Sequence, residues 1–288
     1  MATQNGTASP SDSPVWFITG CSTGFGQELA KQAIAKGYRT VVTARHLAAI
    51  KGYEHNDRTL ILALDVTKPV QVAEAINAAE VKFGRIDVLV NNAGIGYFAA
   101  VEEGEDAEIR KLFEVNVFGL MNMIRGVLPG MRRCRQGCIV NFSSIGGLRA
   151  FPAIGYYNAT KFAVEGLSEA LWQEVEPLGV KVMVVEPSGF RTDWAGRSAH
   201  ESALEIEDYQ ATAGKWRSQV RQSSGKQAGD PVRAAQAVIH AVESGNPPHH
   251  LLLGNAAFEG AMAKLDELHT AFTAGEAVAR AADFPKIV

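Results

Sequence analysis

From Val15 onward, short apolar runs alternate with longer amphipathic stretches, and few folds accommodate that alternation. Val15-Trp16-Phe17-Ile18 is apolar without a break, which suits a strand covered on both faces. Comparable runs recur at residues 40–42, 60–64, 86–90, 138–142, 180–185 and 250–253. Between them the apolar residues switch to helical spacing. Phe25, Leu29, Ala33 and Ile34 precede a stop at Gly37, and further helices are predicted over residues 69–83, 106–133, 155–176 and 231–242. Pro129 should kink or end the third of these early. Strands alternating with helices over the whole length predict an α/β fold, a doubly wound parallel sheet of about seven strands with helices on both faces. No repeat or linker divides it, so residues 15–288 read as a single domain. Residues 193–230 break the rhythm: polar, yet containing Trp194, Tyr209 and Trp216, they read as short helices in a lid.

Several function classes are disfavoured. A formal charge of −3 supplies no field for nucleic acid or an anionic membrane, and no apolar run approaches the roughly 20 residues that span a bilayer. Residues 1–14 have neither a basic start nor an apolar stretch, so they read as a disordered tail rather than a signal peptide. Three cysteines, Cys21, Cys134 and Cys138, are too few for a disulfide framework, and reduced thiols in a cytoplasmic protein are expected. Cys134 and Cys138 lack the further ligands of a structural zinc site, so no metal is expected.

The segment Thr19-Gly20-Cys21-Ser22-Thr23-Gly24-Phe25-Gly26 joins the first strand to the first helix. Glycines there permit a tight turn and close approach of backbone to a pyrophosphate, whose charge is favoured at a helix N-terminus. The plainer alternative is a turn that merely packs helix on strand. The second strand ends in Ala44-Arg45, where NAD-binding folds place an acid for the ribose hydroxyls. An arginine binds a 2′-phosphate that a carboxylate would repel, which favours NADP(H) over NAD; a solvated surface arginine is the competing reading.

Tyr157 and Lys161 are four residues apart in a predicted helix and therefore share a face. An adjacent ammonium, together with a positively charged nicotinamide, favours phenolate, so the two are expected to make the phenol more acidic and let Tyr157 exchange a proton with an alcohol. Alone, such a pair is common. Tyr156 is a competitor, but Thr160 follows it at the same spacing and supplies no cation.

Taken together, Thr-Gly-x-x-x-Gly-x-Gly and Tyr-x-x-x-Lys resemble the single-domain branch of the short-chain dehydrogenase/reductase family, over residues 15–192 and more loosely at the seventh strand. The resemblance implies a Rossmann-type dinucleotide-binding catalytic domain and adds residues in the family's order. Ser144, thirteen before Tyr157, would polarise the substrate carbonyl, with Ser143 as the alternative. Asn116 would support a proton relay through its backbone carbonyl, although by periodicity it is just a polar interruption in a helix. Gly20, Ser22, Thr23, Gly24, Phe25 and Gly26 would cradle the cofactor, with Arg45, Asp65 and Val66 toward its adenine end and Asn92, Ala93 and Gly94 toward its ribose. Asp65 could equally cap a turn, and Asn91 could tie strands together. Tyr157 and Lys161 would also contact the cofactor, Lys161 orienting its ribose, and Pro187, Gly189, Phe190 and Thr192 would hold the nicotinamide side; Ser188 stands where the family has glycine, which is tolerable only if its backbone is unstrained.

The reaction implied is hydride transfer between NADP(H) and a ketone or aldehyde/alcohol pair, with a small-molecule substrate and a homodimer or homotetramer. Two other readings share the fold. A non-catalytic NADP(H)-binding redox sensor would bind cofactor without turnover. A nucleotide-sugar epimerase or dehydratase would retain its cofactor with no net redox change, and usually has a larger C-terminal region. Trp194, Tyr209 and Trp216 shield an apolar pocket or are ordinary packing; the sequence does not choose.

Overall fold

The computed structural model describes residues 13–196 and 199–284. The tail expected over residues 1–14 therefore lies, except for Ser13 and Pro14, outside the described residues. Those two are tied to the body: the Ser13 hydroxyl donates to Gly37 O at 3.3 Å, and Arg39 N to Pro14 O at 3.2 Å.

Seven parallel strands form the main sheet: β1 (Val15–Ile18), β2 (Arg39–Ala44), β3 (Thr59–Ala63), β4 (Val88–Asn91), β6 (Gly137–Phe142), β7 (Val180–Pro187) and β9 (His250–Leu253). Their spatial order is β3-β2-β1-β4-β6-β7-β9. The order reverses between β1 and β4, and such a reversal opens a crevice at the carboxyl ends of the strands. Two three-residue strands, β5 (Gly96–Phe98) and β8 (Ala199–Glu201), pair separately. The helices are α1 (Gly24–Ala35), α2 (Pro69–Phe83), α3 (Asp106–Phe113), α4 (Leu120–Cys134), α5 (Gly155–Val175), α6 (Lys215–Gln222), α7 (Pro231–Glu243), α8 (Asn255–Ala274) and α9 (Glu276–Ala281). None is long and apolar enough to cross a membrane.

Side chains alternate across the sheet, as a period of two requires. Val15 and Phe17 join Ile76, Met123, Val127 and Val164 on the face of α2, α4 and α5. Trp16 and Ile18 join Leu29, Ala33, Val238 and Ile239 on the face of α1 and α7. Both faces are covered, which is why the strands read as continuous apolar runs.

Three elements depart from expectation. The long helix contains a π-widened turn, Glu114–Gly119, between α3 and α4. Pro129 does not end it early; α4 runs on to Cys134. The carbonyl that Pro129 cannot satisfy belongs to exposed Arg125, while Ile124, Val127 and Met131 clamp the other face in the core. Finally, α8 carries no clear apolar stripe toward the core, because its buried contacts are Ala257 and Ala261 against Ile145.

Asn91 ties strands together. Its amide donates to Asn141 Oδ1 at 2.9 Å, and Asn141 donates to Ser168 Oγ at 2.9 Å, joining β4, β6 and α5. An Asn91→Ala protein should lose about 1–3 kcal/mol in urea unfolding, the cost of stranding a buried partner. Its cofactor dissociation constant should stay near the parent value; a large rise would place Asn91 in the binding site instead.

Candidate active site

A cleft of about 580 Å³ opens at the carboxyl ends of β1, β2, β4, β6 and β7, within the range of small-molecule sites. One end is lined by Arg45, Asp65 and Val66, the floor by Gly20, Ser22, Thr23, Gly24, Phe25, Asn92, Ala93 and Gly94, and the other end by Tyr157, Lys161, Pro187 and Thr192. Fifteen of the expected residues thus meet in one cleft. Gly26, Asn116, Ser144, Gly189 and Phe190 do not line it.

The cradle is built by glycines. Gly20 has φ +71°, and a Cβ on it would stand 2.9 Å from Ala93 Cα; Gly24 has φ +59°. Thr23 makes no capping hydrogen bond to α1, so the helix opens onto the cleft without a side-chain cap. A close backbone floor and an uncapped helix N-terminus fit a dinucleotide pyrophosphate. Gly26 serves the turn from behind, packed on Gly20 O and the Asn92 amide. Asn92 donates to Thr19 O and Gly20 O at 2.9 and 3.0 Å, which holds the cradle shut.

At the adenine end Arg45 is exposed. Asp65 both lines the cleft and accepts from Thr67 N and Oγ1 at 3.0 and 2.8 Å, so it also caps the following turn.

At the other end, α5 presents Tyr157 and Lys161 to the same cleft. Lys161 Nζ lies 5.6 Å from the Tyr157 ring centroid and donates to Phe142 O at 2.8 Å. Tyr156 turns away and donates to Val101 O at 2.6 Å. Burial pushes Tyr157 up to about 12, and the Ser144 hydroxyl acts in the opposite direction. Burial also lowers Lys161 to about 8, against the pull of Glu165. Desolvation dominates both groups, so near neutrality the site holds a protonated phenol beside an ammonium.

The two serines divide their tasks. Ser143 lines the cleft wall but sits against Glu165, whereas the Ser144 hydroxyl accepts from Gly146 N at 3.0 Å, donates to Pro187 O at 3.5 Å and acts to lower the phenol's pKa. Asn116 lies on the π-widened turn, a feature often found at functional sites. Its amide exchanges hydrogen bonds with Ile95 N and O, both 2.9 Å, and donates to Thr160 Oγ1 at 3.2 Å. It thereby joins that turn to the second turn of α5.

Ser188 has no left-handed φ, and its backbone N–H donates to Leu253 O at 3.0 Å, so the serine is accommodated without strain. Phe190 turns inward against Phe25, 5.1 Å between ring centroids. Thr192 stands across from Gly24.

The aromatic residues of the 193–230 segment separate. Trp194 lines the cleft and packs on the Tyr157 ring at 5.0 Å. Trp216 packs on Phe151 and Phe98, and the Tyr209 hydroxyl donates to Glu102 on the outer surface. Sequence reasoning missed His200, Ile95 and Val115 in the cleft wall. His200 lies within, and Ile95 next to, three-residue pairing segments too short to show a period, and Val115 sits in the turn whose π geometry shifts the helical register.

A doubly wound sheet with a glycine cradle at one end of a cleft and a Tyr/Lys pair at the other defines a nucleotide-dependent oxidoreductase. The short chain dehydrogenase family pattern matches residues 14–203. Oxidoreductase BOA17 of Botryotinia fuckeliana is 39% identical over 248 residues, covering 85% of this chain and 90% of that protein. A 3-ketodihydrosphingosine reductase of Bacteroides thetaiotaomicron is 41% identical over 194 residues, 67% of this chain and 70% of its own. The crystal structure of a short-chain dehydrogenase from Streptomyces avermitilis superposes with a TM-score of 0.86 at 38% identity, covering 94% of this chain and all of that one. The chain belongs to the short-chain dehydrogenase/reductase family and is an NAD(P)-dependent oxidoreductase.

Proposed function

We propose that this enzyme reduces a ketone or aldehyde with NADPH, Tyr157 donating the proton. The observation that carries the reading is the buried phenol beside the Lys161 ammonium at the inner end of the cleft. The cofactor supplies the hydride. A phenol held up at about 12 remains an acid through neutral pH, which suits donation to a carbonyl oxygen becoming an alcohol. Ser144, whose hydroxyl acts to lower the pKa of that phenol, steadies the phenolate left behind and polarises the carbonyl. Lys161 adds a positive charge beside the phenolate, and Asn116 braces the turn of α5 that carries Tyr157.

The residues of the cradle assigned to cofactor are those lining the cleft, with Gly26 and Phe190 supporting them from behind. Residues 193–230 act as a lid whose Trp194 closes over the reacting end. The 3-ketodihydrosphingosine reductase among the relatives supports reduction of a ketone. Exposed Phe118 and Phe162 support association of copies of the chain, as expected for a homodimer or homotetramer. The test is nicotinamide absorbance with a panel of ketones, aldehydes and secondary alcohols under both NADP(H) and NAD(H). Tight cofactor binding without turnover on the whole panel would favour a redox sensor instead.

NADP preference rests on Arg45. Arg45→Ala should weaken NADPH binding about tenfold, the lower end of a charge-assisted contact because this side chain is exposed, and leave NADH binding unchanged. Equal loss for both cofactors would remove the 2′-phosphate assignment.

A further inference from the structure

The helical face that carries Tyr157 and Lys161 continues to Glu165, one turn on. The carboxyl oxygens of Glu165 are shut off from solvent, with Ser143 and Gly147 beside them. From β7, wholly buried Glu186 approaches, and its Oε1 shares a proton with His250 Nδ1 of β9 at 2.5 Å. His250 Nδ1 lies 4.0 Å from Glu165 Oε2, and its side chain is half exposed. The charged and titratable groups facing Glu165 are therefore Lys161 on its own helix, Ser143 after β6, Glu186 on β7 and His250 on β9, with Glu169 acting on His250 from the next turn. No arginine or second lysine is among them. The Glu165, Glu186 and His250 ligand atoms lie within 4.8 Å of one another. However, the His250–Glu186 pair stands closer than roughly 3.3 Å, the spacing of two ligands on a tetrahedral ion with bonds of about 2.0 Å.

We propose that Glu165 is a positioning residue that keeps Lys161 charged while the enzyme works, and that His250 and Glu186 govern how much carboxylate Glu165 presents. The proposal rests on the catalytic reading of Tyr157 and Lys161 above. Without a counter-charge, a buried lysine surrenders its proton. The Glu165 carboxylate opposes that loss at Lys161, and Lys161 and His250 in turn favour the carboxylate against burial and Glu186. Burial holds Glu165 up to about 7 and Lys161 down to about 8. The two groups thus titrate in neighbouring ranges, which is where the charge of one bears on the other. As pH falls below 7 the carboxyl becomes neutral, but Lys161 is protonated there in any case.

The experiment is the pH profile of kcat/KM for ketone reduction by the full chain. In Glu165→Gln the alkaline limb should move down by about one pH unit, the smaller end of the effect of a nearby opposite charge. Glu165→Asp keeps the charge and should return most of that shift. A side chain with a merely structural role would lower the whole profile without moving the limb. Should Glu165→Gln fail to fold, His250→Gln at the half-exposed rim lets Glu165 keep its proton to higher pH, and gives a smaller shift of the same sign. A limb that coincides with the parent's in the folded variant overturns the proposal. Normal turnover by Tyr157→Phe would instead remove the catalytic reading beneath it, so the two failures are distinguishable.

Discussion

Tyr157→Phe protein should fold, bind cofactor near the parent affinity, and reduce carbonyls with kcat/KM lowered by about 10²–10⁴-fold, the span of positioned general acid catalysis. The substitution removes one oxygen and leaves the ring, so the packing of residue 157 on Trp194 at 5.0 Å survives. Ser144 keeps its bond from Gly146 N, and Lys161 keeps Phe142 O, so neither is stranded by the change. What disappears is the only phenol among the described residues of the cleft wall. The glycine cradle at the other end is untouched, which is why affinity and turnover should separate. Stopped-flow reduction with saturating NADPH, beside a fluorescence titration of cofactor, measures both. Turnover within tenfold of the parent would mean that another group or water delivers the proton.

The reach of sequence reasoning varied with the physics behind each element. The strands of the main sheet were legible because both faces are buried, and continuous apolar runs such as Val15 to Ile18 leave little choice. The cradle was legible because only glycine allows the backbone at Gly20 and Gly24 to turn as it does. Three things were not. The π turn around Asn116 has no compositional mark, since it arises from one extra residue in a helix. Helix α8 packs through alanines, which carry little hydrophobic signal. The depth of Tyr157 is the third, because spacing reveals a neighbouring charge but not the burial that pushes this phenol up. Glu165 was overlooked for the same reason, since a carboxyl on a helix reads as solvated until its cover is seen.

Gly26→Ala should weaken NADPH binding about ten- to hundredfold, although residue 26 does not line the cleft. An ideal Cβ there would stand 2.3 Å from Asn92 Nδ2 and 2.4 Å from Gly20 O. Neither neighbour can retreat easily. The Asn92 amide is held by Thr19 O and Gly20 O, and Thr19 Oγ1 in turn accepts from Asn92 N and Ala93 N at 3.0 Å each. A methyl group must therefore push the Gly20 carbonyl or the Asn92 side chain toward the space the cofactor occupies. Overpacking of this kind costs about 1–3 kcal/mol, and expressed in the cofactor-bound state that corresponds to the stated loss of affinity. Gly52→Ala is the control, since a Cβ there meets nothing within 4 Å and no left-handed φ is involved. Cofactor titration of the two variants, with thermal melting of each, separates a damaged cradle from a damaged fold. If Gly26→Ala protein bound NADPH within twofold of the parent, the turn would be more pliable than its hydrogen bonds imply, and close backbone approach would not be what secures the dinucleotide.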